Sequence, residues 1–273
     1  SLFDLFLLKK HFQDDIMSQI HEYVYILSYI NQRTYGTNYI MELFTFRKEI
    51  KYILPYVQAL ILKKQLDRLM TRDDHCIDTP YSVRSLYFDS VNGTDFSDKL
   101  SGLEVRKKIR LRVYDNDFSL CKLELKQKTG DWQQKHSLIL PMEAAEKLAY
   151  GNYGSLKKYF QDNETSIKAY NIMSQGLYRP VVQIEYDRIA YHYPMYDTRI
   201  TLDMNIRSSE SNMDLFAKKI NYTPVMPENV VLEIKYSGKL MGFISGIFSP
   251  YHLTQNSYSK YCSGRQIYYD FLY

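Results

Sequence analysis

Cysteine is scarce in this chain. There are three, Cys76, Cys121 and Cys262, an odd number with no C-x-x-C spacing. That excludes a disulfide framework and a cysteine-based zinc site, and it reads as reduced thiols in a cytoplasmic protein. Long apolar runs are missing too: no stretch approaches the roughly 18 uncharged residues of a membrane helix, so no transmembrane segment is expected. The N-terminus lacks the charged, apolar and small-residue blocks of a signal peptide. Charge of one sign is not in large excess: the net charge is +4, too small to argue for a nucleic-acid partner, so any basic site must be local. A single tryptophan argues further against a single-strand nucleic-acid binder, which needs aromatic platforms beside its cations. No internal repeat or low-complexity segment is present.

Tyrosine, by contrast, is abundant, with 27 residues, and it favours half-buried strands. The 273 residues suffice for one large domain or two small ones, and 45% hydrophobic residues can bury a core. Residues 1–40 differ from the rest. Leu5, Leu8, Phe12 and Ile16 have helical spacing, so this stretch is expected to be a helical N-terminal extension, set apart from a main domain over 41–273.

Within the main domain, alternation predicts strands near 43–52, 81–89, 103–114, 118–128, 132–140, 179–193, 198–206 and 229–236. Helices are predicted near 55–71 (behind Pro55), 94–100, 142–150, 164–175, 239–248 and after Ser259. The Asp-Asn-Asp and Thr-Gly-Asp stretches suit hairpin turns. Hairpin-linked strands with interspersed helices give an α+β fold built on an antiparallel sheet or barrel.

The strand faces carry the functional signal. Residues 106–128 contain eight Lys or Arg in 23 positions. Successive strand side chains point to opposite faces. Arg106, Lys108, Arg110 and Arg112 therefore share one face, opposite Ile109 and Leu111. Lys122, Glu124, Lys126 and Lys128 repeat the pattern, opposite Leu123 and Leu125. Arg47, Glu49 and Lys51 share a face, as do Arg199, Thr201 and Asp203, and Glu233 and Lys235 lie on opposite-polarity strand positions to Leu232 and Ile234. A solvated polar face is the ordinary explanation for one such strand. Five strands sharing the pattern weaken it, because like charges across strands repel and do so more inside a poorly solvated barrel. A bound anion removes the objection, and Arg suits bidentate phosphate contact. The acids Glu49, Glu124, Glu185 and Glu233 could neutralise cations or hold an oxygen-liganded divalent metal.

Eight motifs in order then carry a resemblance: FRKEIKYILP (46–55), SLYFDS (85–90), KIRLRVY (108–114), LELKQK (123–128), IEYDRIAY (184–191), RITLDMNI (199–206), VLEIKY (231–236) and SYSKY (257–261). Together they resemble the VTC domain, the polyphosphate polymerase domain of the vacuolar transporter chaperone family, in the triphosphate tunnel metalloenzyme (CYTH-like) superfamily. The resemblance implies an antiparallel β-barrel of about eight strands with flanking helices. It implies transfer of the ATP γ-phosphoryl group to a growing polyphosphate chain, with Mn²⁺ or Mg²⁺. By match to the family's motifs, Lys51, Arg110, Arg112, Lys126, Arg188, Ser259 and Lys260 are expected to grip the triphosphate. Arg47, Lys128, Lys135, Arg199 and Lys235 are expected to bind substrate, and Glu233 with Glu49 to hold the metal.

The superfamily's opening E-x-E-x-K appears as Arg47-x-Glu49-x-Lys51, with Arg for the first Glu as is usual in VTC-like members. There are departures from the family: Ser257 stands where the fungal catalytic subunit carries a further Lys. The register near Trp132 places the next family Lys at Lys135 or slips it to His136. Arg199 and Asp203 are also expected to form a structural ion pair. Two other functions remain open: a triphosphatase of the same superfamily, using water as nucleophile, and a non-catalytic polyphosphate-binding module. No SPX domain or transmembrane bundle is recognised in these residues.

Overall fold

A computed structural model describes residues 47–73, 76, 79–115, 117–130, 132–161 and 163–270. The expected helical extension over 1–40 lies outside the described residues, as does the start of the predicted 43–52 strand.

In chain order the elements are β1 (Arg47–Pro55), α1 (Tyr56–Leu69), β2 (Thr71–Arg72), β3 (Tyr81–Asp89), α2 (Thr94–Leu100), β4 (Arg106–Tyr114), β5 (Asp117–Thr129), β6 (Trp132–Pro141), α3 (Met142–Ala149), α4 (Glu164–Gln175), β7 (Arg179–Tyr193), β8 (Thr198–Ser209), β9 (Thr223–Pro224), β10 (Asn229–Ser237), α5 (Gly242–Phe248) and α6 (Lys260–Asp270). The long strands form one antiparallel sheet in the order β1-β10-β8-β7-β3-β4-β5-β6. The eight-stranded antiparallel architecture expected from the sequence is therefore present. The two hairpins are tight. Tyr114 pairs with Asp117 across a two-residue turn in which Asp115 has φ 49°, and Thr129 pairs with Trp132 across a turn in which Gly130 has φ 57°.

The sheet is strongly curled, as one contact proves. β1 and β5 are six steps apart in the strand order, about 29 Å in a flat sheet at about 4.8 Å per step. Yet Lys126 Nζ on β5 lies 3.4 Å from Glu49 Oε2 on β1. The strands wrap into a half-barrel whose concave face brings both walls within side-chain reach.

The convex face holds the apolar half of each alternation. Ile109, Leu111, Leu123, Leu125, Leu138 and Leu140 pack under α3 and α4, through Ala145, Leu148, Ala169 and Met173. On the other half, Leu54, Ile200, Leu202 and Ile234 pack with Leu62 and Leu66 of α1 and with Ile244 and Phe248 of α5. All three cysteines are buried and free.

One irregularity decides which charges face inward. Between Glu185/Asp187 on β7 and Met204/Arg207 on β8 the register shifts, and β8 carries an extra residue there, with Asn205 at φ 51°. This bulge reverses the alternation of β8. Thr201 and Asp203 point inward, whereas Arg207 pairs with Glu185 on the convex side. Glu185, a sequence candidate for the inner acids, is corrected accordingly: it sits between Arg84 (2.6 Å) and Arg207, and receives a hydrogen bond from Tyr222.

α6 is pressed against the inner side. A Cβ added at Gly264 would lie 2.2 Å from Ile184 Cδ1 and 3.1 Å from Ser208 Cβ, so glycine is needed for this approach. The Tyr261 hydroxyl reaches Asp89, which also accepts from the Asp95 and Phe96 N–H groups at the start of α2 (2.9 and 3.0 Å). That buried carboxylate fastens α6 to the end of β3.

Candidate functional site

The pairing register sets like charges side by side. Across β4 and β5 the partners are Arg106 with Lys128, Lys108 with Lys126, Arg110 with Glu124, and Arg112 with Lys122. On the next strand, Lys126 faces Lys135. Three lysines, Lys108, Lys126 and Lys135, thus stand in one row across three strands. His136 lies on the opposite face, buried and 3.3 Å from Lys168 Nζ.

Four carboxylates divide the concave face into three groups. Glu124, 2% exposed, accepts from Arg110 Nε at 2.7 Å, and Lys135 Nζ lies 2.6 Å from its other oxygen. Arg110 also donates to the Tyr87 hydroxyl (2.8 Å), while Arg112 donates to Ser85 Oγ (3.2 Å) and the Tyr186 hydroxyl (3.3 Å). Asp203, with no exposure, takes a bidentate pair from Arg188 (2.6 and 2.8 Å) and approaches Lys260 Nζ at 2.5 Å. Glu49 lies 3.0 Å from Lys51 and 3.4 Å from Lys126, and Lys235 lies 2.6 Å from Glu233 and 3.8 Å from Glu49. Lys108 Nζ donates to Ser259 Oγ at 2.7 Å. The same oxygen accepts from the Cys262 N–H (3.3 Å), so Ser259 caps α6 and turns the helix N-terminus toward the lysine row.

The electrostatics follow from this crowding. Burial, and then the charges of Lys51, Lys126 and Lys99, push the Lys108 ammonium down to about 7 despite an opposing effect of Cys262. Burial and the Lys51 and Lys235 charges bring Lys126 down to about 8, with Glu49 and Glu233 opposing. Burial also lowers Lys135. The carboxylates move the other way. Burial favours protonation of Glu124, but Arg110, Arg112 and Lys135 hold it well below the usual carboxylate range. Burial is likewise overcome at Asp203 by Arg188 and Lys260, which bring it to about 2, and at Glu233 by Lys235, Lys51 and Lys260. The face has more cations than its ionised acids can neutralise.

Of the residues singled out from the sequence, the structure brings together Lys51, Arg110, Arg112, Lys126, Lys135, Arg188, Lys235, Ser259, Lys260, Glu49 and Glu233. Lys128 lies at the strand end, opposite Arg106. Arg47 opens β1 opposite Ser237. Arg199 stands apart: it pairs with Asp73 at 2.7 Å, not with Asp203 as expected, because Arg188 and Lys260 already occupy that carboxylate. Sequence reasoning missed Tyr87 and Tyr186, whose hydroxyls hold Arg110 and Arg112 and whose rings lie under Arg110 (5.6 Å), Arg188 (5.2 Å) and Lys260 (4.7 Å). Their signal was present in SLYFDS and IEYDRIAY, as tyrosines on the charged side of the alternation. Lys108, placed by the alternation on the charged face, stands in the inner row and reaches Ser259.

Against known families, residues 46–269 match the model of the VTC domain. The chain belongs to the VTC domain family. No curated protein matches it. Among solved structures, an adenylyl cyclase-like protein from Hippeastrum, described as having a dominant triphosphatase activity, is similar at 14% identity with a TM-score of 0.50, covering 80% of this chain and 94% of that one. A candidate adenylate cyclase from Bacillus halodurans is 14% identical with a TM-score of 0.46, covering 78% and 95%. At such identity the Hippeastrum likeness establishes the fold alone, that of the triphosphate tunnel proteins. This VTC domain has no helix, among the described residues, long and apolar enough to cross a membrane.

Among the described residues no group of three or more His, Cys, Asp or Glu forms a metal cage. Glu49 and Glu233 do stand close enough for each to disfavour the other's charge, and both are nonetheless held ionised. Two oxygen donors of this kind fit a hard divalent cation that completes its shell with substrate phosphates and water, as Mg²⁺ does.

Proposed function

We propose that this VTC domain is a polyphosphate polymerase that transfers the γ-phosphoryl group of ATP to the end of a polyphosphate chain on its concave face. One observation carries the reading: the in-register row of Lys108, Lys126 and Lys135, in which burial and neighbouring cations depress the half-buried Lys108 and Lys126 while Lys135, half exposed, leans on Glu124 at 2.6 Å. Such a row is costly alone and favourable around a polyanion.

Phosphoryl transfer requires in-line positioning and charge neutralisation more than covalent assistance. Arg110 and Arg112, held by tyrosine hydroxyls and Glu124, offer preoriented donors for the charge that develops on the transferred group. Arg188 and Lys260, braced by Asp203, grip the triphosphate from the facing wall, with Lys51 beside them. Ser259 adds a hydroxyl donor. Glu49 and Glu233 would hold Mg²⁺ or Mn²⁺, which supplies neutralisation of phosphate oxygens when bound. A terminal phosphate oxygen of the chain attacks the γ-phosphorus, the β–γ anhydride bond breaks, ADP leaves, and a new anhydride extends the chain. The nucleophile is already anionic, so no general base is needed.

The triphosphatase reading draws on the activity described for the Hippeastrum neighbour. It needs a base for water. The four inner carboxylates are held ionised by cations, which makes them poor proton acceptors, whereas Lys108, brought down to about 7, is a base the site does hold, so the assay and not the base separates the two readings. The test incubates the purified protein with ATP, Mn²⁺ and a short polyphosphate primer and resolves chain length on a gel. Chain growth is the expected result. Phosphate release without growth would assign a hydrolase, and binding with neither a non-catalytic module.

A further inference from the structure

The two mouths of the half-barrel differ in how their cations are matched. At one mouth, where β8 begins and β7 ends, Arg199 is paired with Asp73. At the other, β4 begins and β5 ends, with Arg106 and Lys128 as register partners. α2 follows β3 to this same end and brings Lys99, whose charge is disfavoured by burial and then by Arg106, Lys51 and Lys128. All three side chains are half-buried. None has an acidic partner within ion-pair distance among the described residues, and the nearby acids Glu104 and Asp98 make no ion pair there. The Arg106–Lys128 rung lies two residues beyond the Lys108–Lys126 rung, roughly 7 Å along the strands, so the cationic line continues from the interior to this opening.

We propose that Lys99, Arg106 and Lys128 form a second polyanion subsite, which holds the distal phosphates of an elongated polyphosphate as it leaves the half-barrel. This subsite rests on the polymerase reading and gives it a direction. The chain emerges at the β4–β5 mouth, and the Arg199 mouth, with its charges matched, is where nucleotide enters. Half-buried like charges repel one another unless an anion lies between them. A triphosphate seated on the inner row is too short to neutralise this rung, whereas a long chain reaches it.

The experiment compares the affinity of inorganic tripolyphosphate with that of long-chain polyphosphate, for wild type and for a Lys99→Ala/Arg106→Ala/Lys128→Ala variant. The expected result is a loss for the long chain at least about fivefold larger than the loss for tripolyphosphate, with a shallower salt dependence for the long chain, as fewer phosphate contacts are made. The thermal midpoint should hold or rise, since three mutually repelling charges are removed. Gel analysis should show shorter products. Equal losses for both ligands would overturn the subsite, because the three cations would then act only through a general field. An Arg199→Ala variant with the same selective loss for long chains would overturn the assigned direction. Wild-type protein that binds neither ligand would overturn the polymerase reading itself, a result distinct from either of the others.

Discussion

Two buried charge clusters occupy opposite faces of the same sheet. On the convex face, Arg84 and Arg207 meet Glu185, and Arg207 also approaches Asp187 at 3.5 Å. Arg84 adds hydrogen bonds to the Leu215 and Ala217 carbonyls (3.1 and 2.8 Å), which ties that segment to the sheet. Two cations meet two acids, and the remaining donors find backbone oxygen. On the concave face, Glu124 alone is shared by Arg110, Arg112 and Lys135, and Lys108 meets a serine hydroxyl and the Tyr261 ring but, among the described residues, no carboxylate. The convex cluster is complete and acts as a scaffold. The concave one is complete only with an anion. Local charge balance, more than burial or residue type, separates structural arginines from those of the site.

The largest expected effect breaks the concave cluster. Arg110→Ala should lower the rate of chain extension by about a hundredfold to a thousandfold, the range for losing one preorganised donor, measured as initial rates. Arg84→Ala breaks the convex cluster instead. It leaves Glu185 with less compensation and should cost roughly 3 kcal/mol in urea unfolding, while the rate per folded molecule stays within about threefold of wild type.

Next comes the placement of α6. Gly264→Ala forces a Cβ against Ile184 and Ser208. Overpacking of this kind should destabilise by about 1–3 kcal/mol and reduce activity through displaced Ser259 and Lys260, as read by unfolding midpoints and kcat together.

A third prediction uses pH. Folded Lys108 and Lys126 titrate at about 7 and about 8, against about 10.4 in an unfolded chain. Between these values the unfolded state binds more protons, so stability rises with pH. The penalty of burying both ammonium groups is fully present below pH 7 and relieved on going toward pH 10. Melting of the ligand-free protein should therefore shift upward from pH 6.5 to pH 9, and a Lys108→Met/Lys126→Met variant should lose most of that slope. The smallest effect is expected at Arg199. Because it is engaged by Asp73, Arg199→Ala should change the KM for ATP by less than about threefold, consistent with a partly exposed ion pair.

Much of this was legible in the sequence. The hairpin turns and the alternation of 104–112 and 121–128 placed both faces correctly, because strict period-two patterns leave little freedom. The RKEIK stretch likewise put Glu49 and Lys51 together. The order of strands was not legible, since β1 meets β5 only through the curl of the whole sheet. Nor was the β8 bulge, which turns Arg207 outward and leaves Asp203 for Arg188 and Lys260 in place of Arg199. Both depend on long-range packing, which periodicity does not encode. The tyrosine hydroxyls that orient Arg110 and Arg112 were hidden among many other tyrosines.

The central claim is that the concave charge surplus exists for a polyphosphate. Calorimetric titration with inorganic tripolyphosphate at pH 8, in two buffers of different ionisation enthalpy, tests it most directly. The account predicts single-site binding by wild type with protons taken up as Lys108 and Lys126 recharge, and weaker binding with less uptake in the Lys108→Met/Lys126→Met variant. Absence of binding by wild type, or the same affinity and proton uptake in the variant, would contradict it.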